Sequence, residues 1–137
     1  MTAPAGVRPT EPPKQLGFWI AIVDDDGSLR VALARALRSH GLSAVTYPSA
    51  EEFLERDEGQ PDCLVLDIHL PGRNGFELFD QLRESSPDLP VIFITAHDGC
   101  LSENPRVRAA AGYLRKPFDA HQLVDLVRQH SKSERAK

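Results

Sequence analysis

The sequence predicts an α/β protein: a parallel sheet with crossover helices. Five short apolar runs alternate with segments of helical period: FWIAIV (18 to 23), LSAVTY (42 to 47), CLVL (63 to 66), VIFI (91 to 94) and GYLR (112 to 115). That is the order expected of strand-helix-strand units. The runs at 18 to 23, 63 to 66 and 91 to 94 are apolar on both alternating faces, as strands covered by helices on both sides must be. LSAVTY is more mixed and reads as an edge strand.

Each element carries its own signature. Trp19 opens the first run and reads as core. Beyond it, Leu29, Leu33 and Leu37, supported by Ala36, share one helical face, and Gly41 stands where a left-handed residue would stop the helix. Asp26 lies where that helix begins, so its carboxylate belongs near the free N–H groups and the positive dipole end. Ser49 followed by Glu52 predicts a capping box that opens a short helix through Phe53 and Leu54. Phe76, Phe79 and Leu82 mark a third helix. The stretch AHDGCLSENPRVRAAA (96 to 111) has almost no apolar stripe, and Pro105 is tolerable only in a first turn. A short, mobile fourth helix is expected there. Asp119 with Gln122 caps the last helix, whose inner face is Leu123, Leu126 and Val127, while His40, His121 and His130 read as surface or half-buried helix residues.

A chain of 137 residues with 41% hydrophobic content suits one domain with a genuine core. Residues 1 to 16 hold four prolines and almost no large apolar side chain, which predicts a flexible leader before a domain over 17 to 131 and a polar tail over 132 to 137. A net charge of -4 offers no diffuse attraction to nucleic acid or anionic lipid, so direct binding to either is not expected. Cys63 and Cys100 lack metal-ligand spacing and read as free thiols of a reducing compartment. No apolar run approaches the roughly 20 residues that span a bilayer, and no signal peptide opens the chain, so a cytoplasmic location is expected.

In an open parallel sheet, ligands sit outside the carboxyl ends of the strands, where the strand order reverses. At those ends the sequence sets Asp24, Asp25 and Asp26 after the first strand, Asp67 after the third, Thr95 and Ala96 after the fourth, and Lys116 before Pro117 after the fifth. Clustered carboxylates without cysteine suit a hard cation such as Mg2+. A lysine and a threonine supply the positive charge and the hydrogen-bond donor that a phosphoryl group needs. The site reads as one built for phosphate plus magnesium.

The motifs AIVDDD, CLVLDIHLPGRNGFEL, VIFITA and YLRKPF, in that order and at those strand ends, resemble the receiver domains of bacterial two-component response regulators. The resemblance implies a flavodoxin-like, doubly wound (βα)5 domain whose five-stranded parallel sheet has the order 2-1-3-4-5. It implies that Asp67 accepts a phosphoryl group from the phosphohistidine of a sensor histidine kinase or phosphotransfer protein, in a Mg2+-dependent reaction that leaves an acyl phosphate. Asp24 and Asp25 match the acidic pair, Asp25 as a direct Mg2+ ligand and Asp24 acting through water. Asp67 and the main-chain carbonyl of His69 match the remaining ligands. Thr95 matches the hydroxyl that moves toward the phosphoryl oxygen, Tyr113 the aromatic whose rotamer follows activation, and Lys116 the base that contacts phosphate. A cis bond from Lys116 to Pro117 is implied, turning the lysine into the site. The implied output is a switched face of fourth helix, fifth strand and fifth helix that signals to a partner protein or output domain, with a phosphorylation-dependent dimer as a further implied state.

Other readings compete. A phosphatase of the haloacid-dehalogenase type would want a second aspartate two residues after the nucleophile, where His69 stands. A phosphorylation-independent module of the same fold would have no need of the acidic pair, Asp67, Thr95 and Lys116. His69 and His97 flank the site without forming a transition-metal pattern. Two departures from the family pattern fall in one segment. Thr95 and Lys116 stand one position closer than expected, and Ala109 occupies the place of a glycine that usually ends the fourth helix. With SKSERAK following the last helix, both a stand-alone receiver and a piece of a longer regulator stay open.

Overall fold

A computed structural model describes residues 18 to 96 and 103 to 130 of the chain. The expected leader (1 to 16), the polar tail (132 to 137), His97 and Cys100 lie outside the described residues. The strands are β1 (Trp19–Val23), β2 (Ser43–Tyr47), β3 (Cys63–Asp67), β4 (Val91–Thr95) and β5 (Gly112–Arg115). They alternate with α1 (Gly27–Ser39), α2 (Ala50–Leu54), α3 (Gly75–Ser85), α4 (Pro105–Ala109) and α5 (Ala120–His130). All pairings are parallel and the order is β2-β1-β3-β4-β5, so the doubly wound expectation holds and the mixed strand β2 is indeed an edge.

Two strands run one residue past their apolar motifs, and the difference matters. Ile68 N donates to Ile94 O at 3.0 Å, and Lys116 N to Thr95 O at 2.7 Å. These ladder bonds make Asp67 and Thr95 the last residues of β3 and β4 rather than loop residues, fixed by the sheet itself. The period of 2 then sorts the buried side chains into two layers. Trp19, Ala21 and Val23 of β1 join Phe53 of α2, Leu78, Phe79 and Leu82 of α3 and Val107 of α4 on one face. Ile20 and Ile22 join Leu33, Ala34 and Leu37 of α1 and Leu123, Val124 and Val127 of α5 on the other.

The helix ends follow the local chemistry. Asp26 caps α1 by accepting from Leu29 N at 3.2 Å. At the other end Gly41 takes φ +81, Gly41 N donates to Arg38 O and Leu42 N to Leu37 O. This is the paired-bond stop that a left-handed residue permits. Ser49 caps α2 through Glu52 N at 3.1 Å, the half of the expected box that its oxygen supplies. The reciprocal box forms instead at α3, where Asn74 Oδ1 accepts from Glu77 N and Glu77 Oε1 from Asn74 N, both at 2.9 Å. Before α5, Gln122 Oε1 accepts from Asp119 N and Asp119 Oδ1 from His121 N, a local pair of bonds that holds the helix start. Leu126, expected on the inner face of α5, is partly buried, and Val124 joins Leu123 and Val127 as the buried residues of that face. The fourth helix is short as expected, with Pro105 in its first turn behind an Asn104 cap. Among the described residues no helix is long and apolar enough to cross a membrane.

Candidate functional site

The carboxyl edge of the sheet gathers the charged groups. Asp24 directly follows β1, and its backbone is held from both sides: Asp24 N donates to Tyr47 O at 3.1 Å, and the Arg30 guanidinium donates to Asp24 O at 2.7 Å. Its Oδ1 accepts from Asp26 N at 2.9 Å, so the acidic run folds back on itself. Asp24 and Thr95 are fully buried and Asp67 is 3% exposed, whereas Asp25 faces solvent. Carboxylate oxygens of Asp24, Asp25 and Asp67 lie within 4.8 Å of one another.

Among the described residues, Lys116 is the cation that meets this trio. Lys116 Nζ stands 2.9 Å from Asp24 Oδ2 and 3.5 Å from Asp67 Oδ2. The shorter contact pairs the ammonium with the fully buried Asp24, and the longer is a hydrogen bond to Asp67. One ammonium among three carboxylates leaves the cluster net negative, a charge that a further cation would offset. Burial raises the Asp67 carboxyl to about 6, and neighbouring Asp24 pushes in the same direction; Lys116 and the His69 N–H oppose it. Burial by itself would lower the Lys116 ammonium, but Asp24 and Asp67 outweigh it and hold it above its ordinary value. The excess of buried negative charge and the all-oxygen donor set both fit a hard divalent cation.

The other expected residues take these positions. His69 is exposed, and its N–H donates to Asp67 Oδ1 at 3.2 Å. The Lys116–Pro117 bond is cis. Tyr113 lies opposite Phe93 in the β4·β5 register and is 38% exposed. Cys63 is buried in β3, where burial pushes its thiol up to about 12.

Two supporting residues escaped the sequence reading. Arg30 lies one turn into α1, where nothing in its spacing marks it as a clamp on the Asp24 carbonyl. Gly75 opens α3 against the chain just past Asp67: a Cβ there would meet the Asp67 carbonyl oxygen and lie 2.8 Å from Ile68 Cα. The Asn-Gly pair followed by Glu77 was the available signal, since Asn-x-x-Glu is a capping-box pattern and Gly the residue that permits close approach.

Residues 20–128 match the response regulator receiver domain family. The chain belongs to that family. Over 108 residues the receiver is 44% identical to the DNA-binding transcriptional regulator NtrC of Klebsiella pneumoniae, a match that covers 77% of this chain and 23% of that protein. The chain thus spans about a quarter of the length of the first curated relatives it matches. A response regulator receiver protein from Burkholderia phymatum is 40% identical with a TM-score of 0.70, over 82% of this chain and 93% of that one. The response regulator TrrA from Thermotoga maritima, solved in complex with Mg2+–BeF, is 30% identical with a TM-score of 0.74, over 82% and 97% of the two chains.

Proposed function

We propose that this receiver accepts a phosphoryl group on Asp67 from the phosphohistidine of a sensor histidine kinase or phosphotransfer protein, with Mg2+ held by Asp25, Asp67 and the His69 main-chain carbonyl, and by Asp24 through water. The observation that carries the reading is the convergence of the Asp24, Asp25 and Asp67 carboxylate oxygens within 4.8 Å of one another beside Lys116, a site with more negative than positive charge. When bound, Mg2+ supplies the charge neutralisation that lets a carboxylate approach a phosphoryl group.

This chain's own residues account for the remainder. A carboxylate oxygen of Asp67 bonds to phosphorus as the phosphorus–nitrogen bond of the donor breaks, and the bonding pair leaves with the donor imidazole, which takes its proton from solvent. Lys116, already bridging two carboxylates, turns to the incoming phosphoryl oxygens. Thr95, at the end of β4, brings a hydroxyl toward them, and Tyr113 two pairings away on β5 follows that movement. The face of α4, β5 and α5 then carries the change to a partner protein, an output domain or a second copy of the receiver.

The TrrA complex with Mg2+–BeF supports this reading by its likeness in sequence and fold. Incubation with radiolabelled acetyl phosphate should label the wild type only when Mg2+ is present, and Asp67→Asn should abolish the label. Full labelling of that variant would sink the assignment. Equal partner affinity with and without beryllofluoride would favour a phosphorylation-independent module instead.

A further inference from the structure

The receiver chemistry makes no use of a histidine pair on the opposite helical layer. His40 closes α1 and His121 lies in the first turn of α5, and their rings meet edge to face with centroids 5.2 Å apart and planes at 90°. A ring contact alone gives such a spacing. So do two imidazoles on one tetrahedral ion: nitrogens at ~2.0–2.1 Å from the metal leave the centroids about 5 Å apart.

The hydrogen bonds are those that a ligating pair requires. Nδ1 of His40 lies 2.9 Å from the carbonyl oxygen of Ala36, and Nδ1 of His121 lies 3.2 Å from Asp119 Oδ1. A carbonyl and an ionised carboxylate can only accept, and the Ser39 hydroxyl 3.3 Å from His40 Nδ1 gives its own proton to Ala36 O, so each Nδ1 donates and Nε2 is the nitrogen left to hold a metal. That is the arrangement in which a ligating imidazole has its other nitrogen held by a carbonyl or a carboxylate. The scaffold is braced as well, because the Arg128 guanidinium of α5 donates to the His40 carbonyl at 2.7 Å and ties the end of α1 to α5. Asp125, one turn on from His121, adds an exposed carboxylate to that side of α5.

We propose that His40 and His121 form a second metal site, taking a borderline divalent ion such as Ni2+, Zn2+ or Cu2+ through both Nε2 atoms, with water completing the coordination. Imidazole suits these ions and Mg2+ prefers oxygen, so the two sites select different metals. Bound metal links α1 to α5 and raises stability by mass action.

The test uses the untagged chain, stripped with chelator and saturated with Mg2+ at about pH 7.5, where ordinary imidazole is largely neutral. Calorimetric titration with Ni2+ should show a site that His40→Gln and His121→Gln each weaken at least tenfold. Asp119→Asn should weaken it roughly 10–100-fold, by freeing the His121 ring. In the unaltered protein, substoichiometric Ni2+ should broaden the ring resonances of His40 and His121 before those of the other histidines. Affinity unchanged by both histidine substitutions, broadening that begins elsewhere, or no Ni2+ binding in the wild type would overturn the proposal.

Discussion

Helices α1 and α4 pack on opposite faces of one sheet and are held in different ways. Helix α1 has 13 residues, buries Leu33, Ala34 and Leu37, and is fixed at both ends, by Asp26 and by the bond pair around Gly41. Helix α4 has 5 residues and buries Val107 alone. An isolated helix that short cannot sustain itself, so α4 depends on what it touches. The contrast separates two duties. The α1 side frames Asp24 and the acidic cluster with a long, doubly capped helix, whereas α4 has few restraints of its own.

The largest expected effect tests the packing directly. Leu37 is fully buried, so Leu37→Ala should cost about 2–5 kcal/mol in urea unfolding. Val107→Ala removes less buried hydrocarbon and should cost roughly 1.5 kcal/mol, with native-state hydrogen exchange quickening in α4 but not in α1. Equal losses from both would end the comparison.

A second test turns on the charge that α1 helps to confine. The folded pKa of Asp67, about 6, lies above the ~3.9 of an ordinary aspartate, so between these values the folded protein binds more protons than the unfolded one. Its contribution to stability is therefore full below pH ~4 and is lost as pH rises through about 6. In metal-free protein the thermal midpoint of Asp67→Asn should gain on the wild type across that window. Added Mg2+ should narrow the gap at neutral pH, and a gap independent of pH would refute the buried-charge account.

Helix α1 can be sharpened further at its first residues. Asp26→Ala removes the cap on Leu29 N and should lower stability by about 1 kcal/mol while leaving Mg2+ affinity nearly intact. Asp25→Asn should do the reverse, weakening Mg2+ binding and phosphorylation with little change in urea unfolding. Similar profiles for the two would dissolve the division of the acidic run into metal ligands and a cap.

How much of this was legible beforehand depends on distance along the chain. Elements whose signals are local, such as the Leu29-Leu33-Leu37 face, the Gly41 stop and Pro105 in a first turn, were readable because period and cap chemistry act within a few residues. The site's residue types were readable because β-strand ends are where this architecture gathers ligands. The extra ladder positions of Asp67 and Thr95 were not, since they depend on bonds between neighbouring strands. Nor was the His40 and His121 pair, whose members are brought together by the packing of α1 on α5.

The smallest effect expected on global stability is the one that bears most directly on α4. Arg106 forms a two-point bridge to Asp80 of α3, Nε to Oδ1 at 2.8 Å and the terminal nitrogen to Oδ2 at 2.7 Å, with its guanidinium carbon 5.4 Å from the Phe76 ring centre. Hydrogen bonding to Arg106 holds the Asp80 carboxyl below its usual range. Both side chains are well exposed, at 42% and 52%, so the bridge should add little to global unfolding and should weaken further in salt. Its effect is local, because a helix with one buried residue has few other restraints. Asp80→Asn should leave the thermal midpoint nearly unchanged yet speed amide exchange in α4, and high salt should speed the wild type toward the variant. Unaltered α4 exchange in Asp80→Asn would mean that Val107 and the sheet hold the helix unaided, and the contrast with α1 would narrow to length alone.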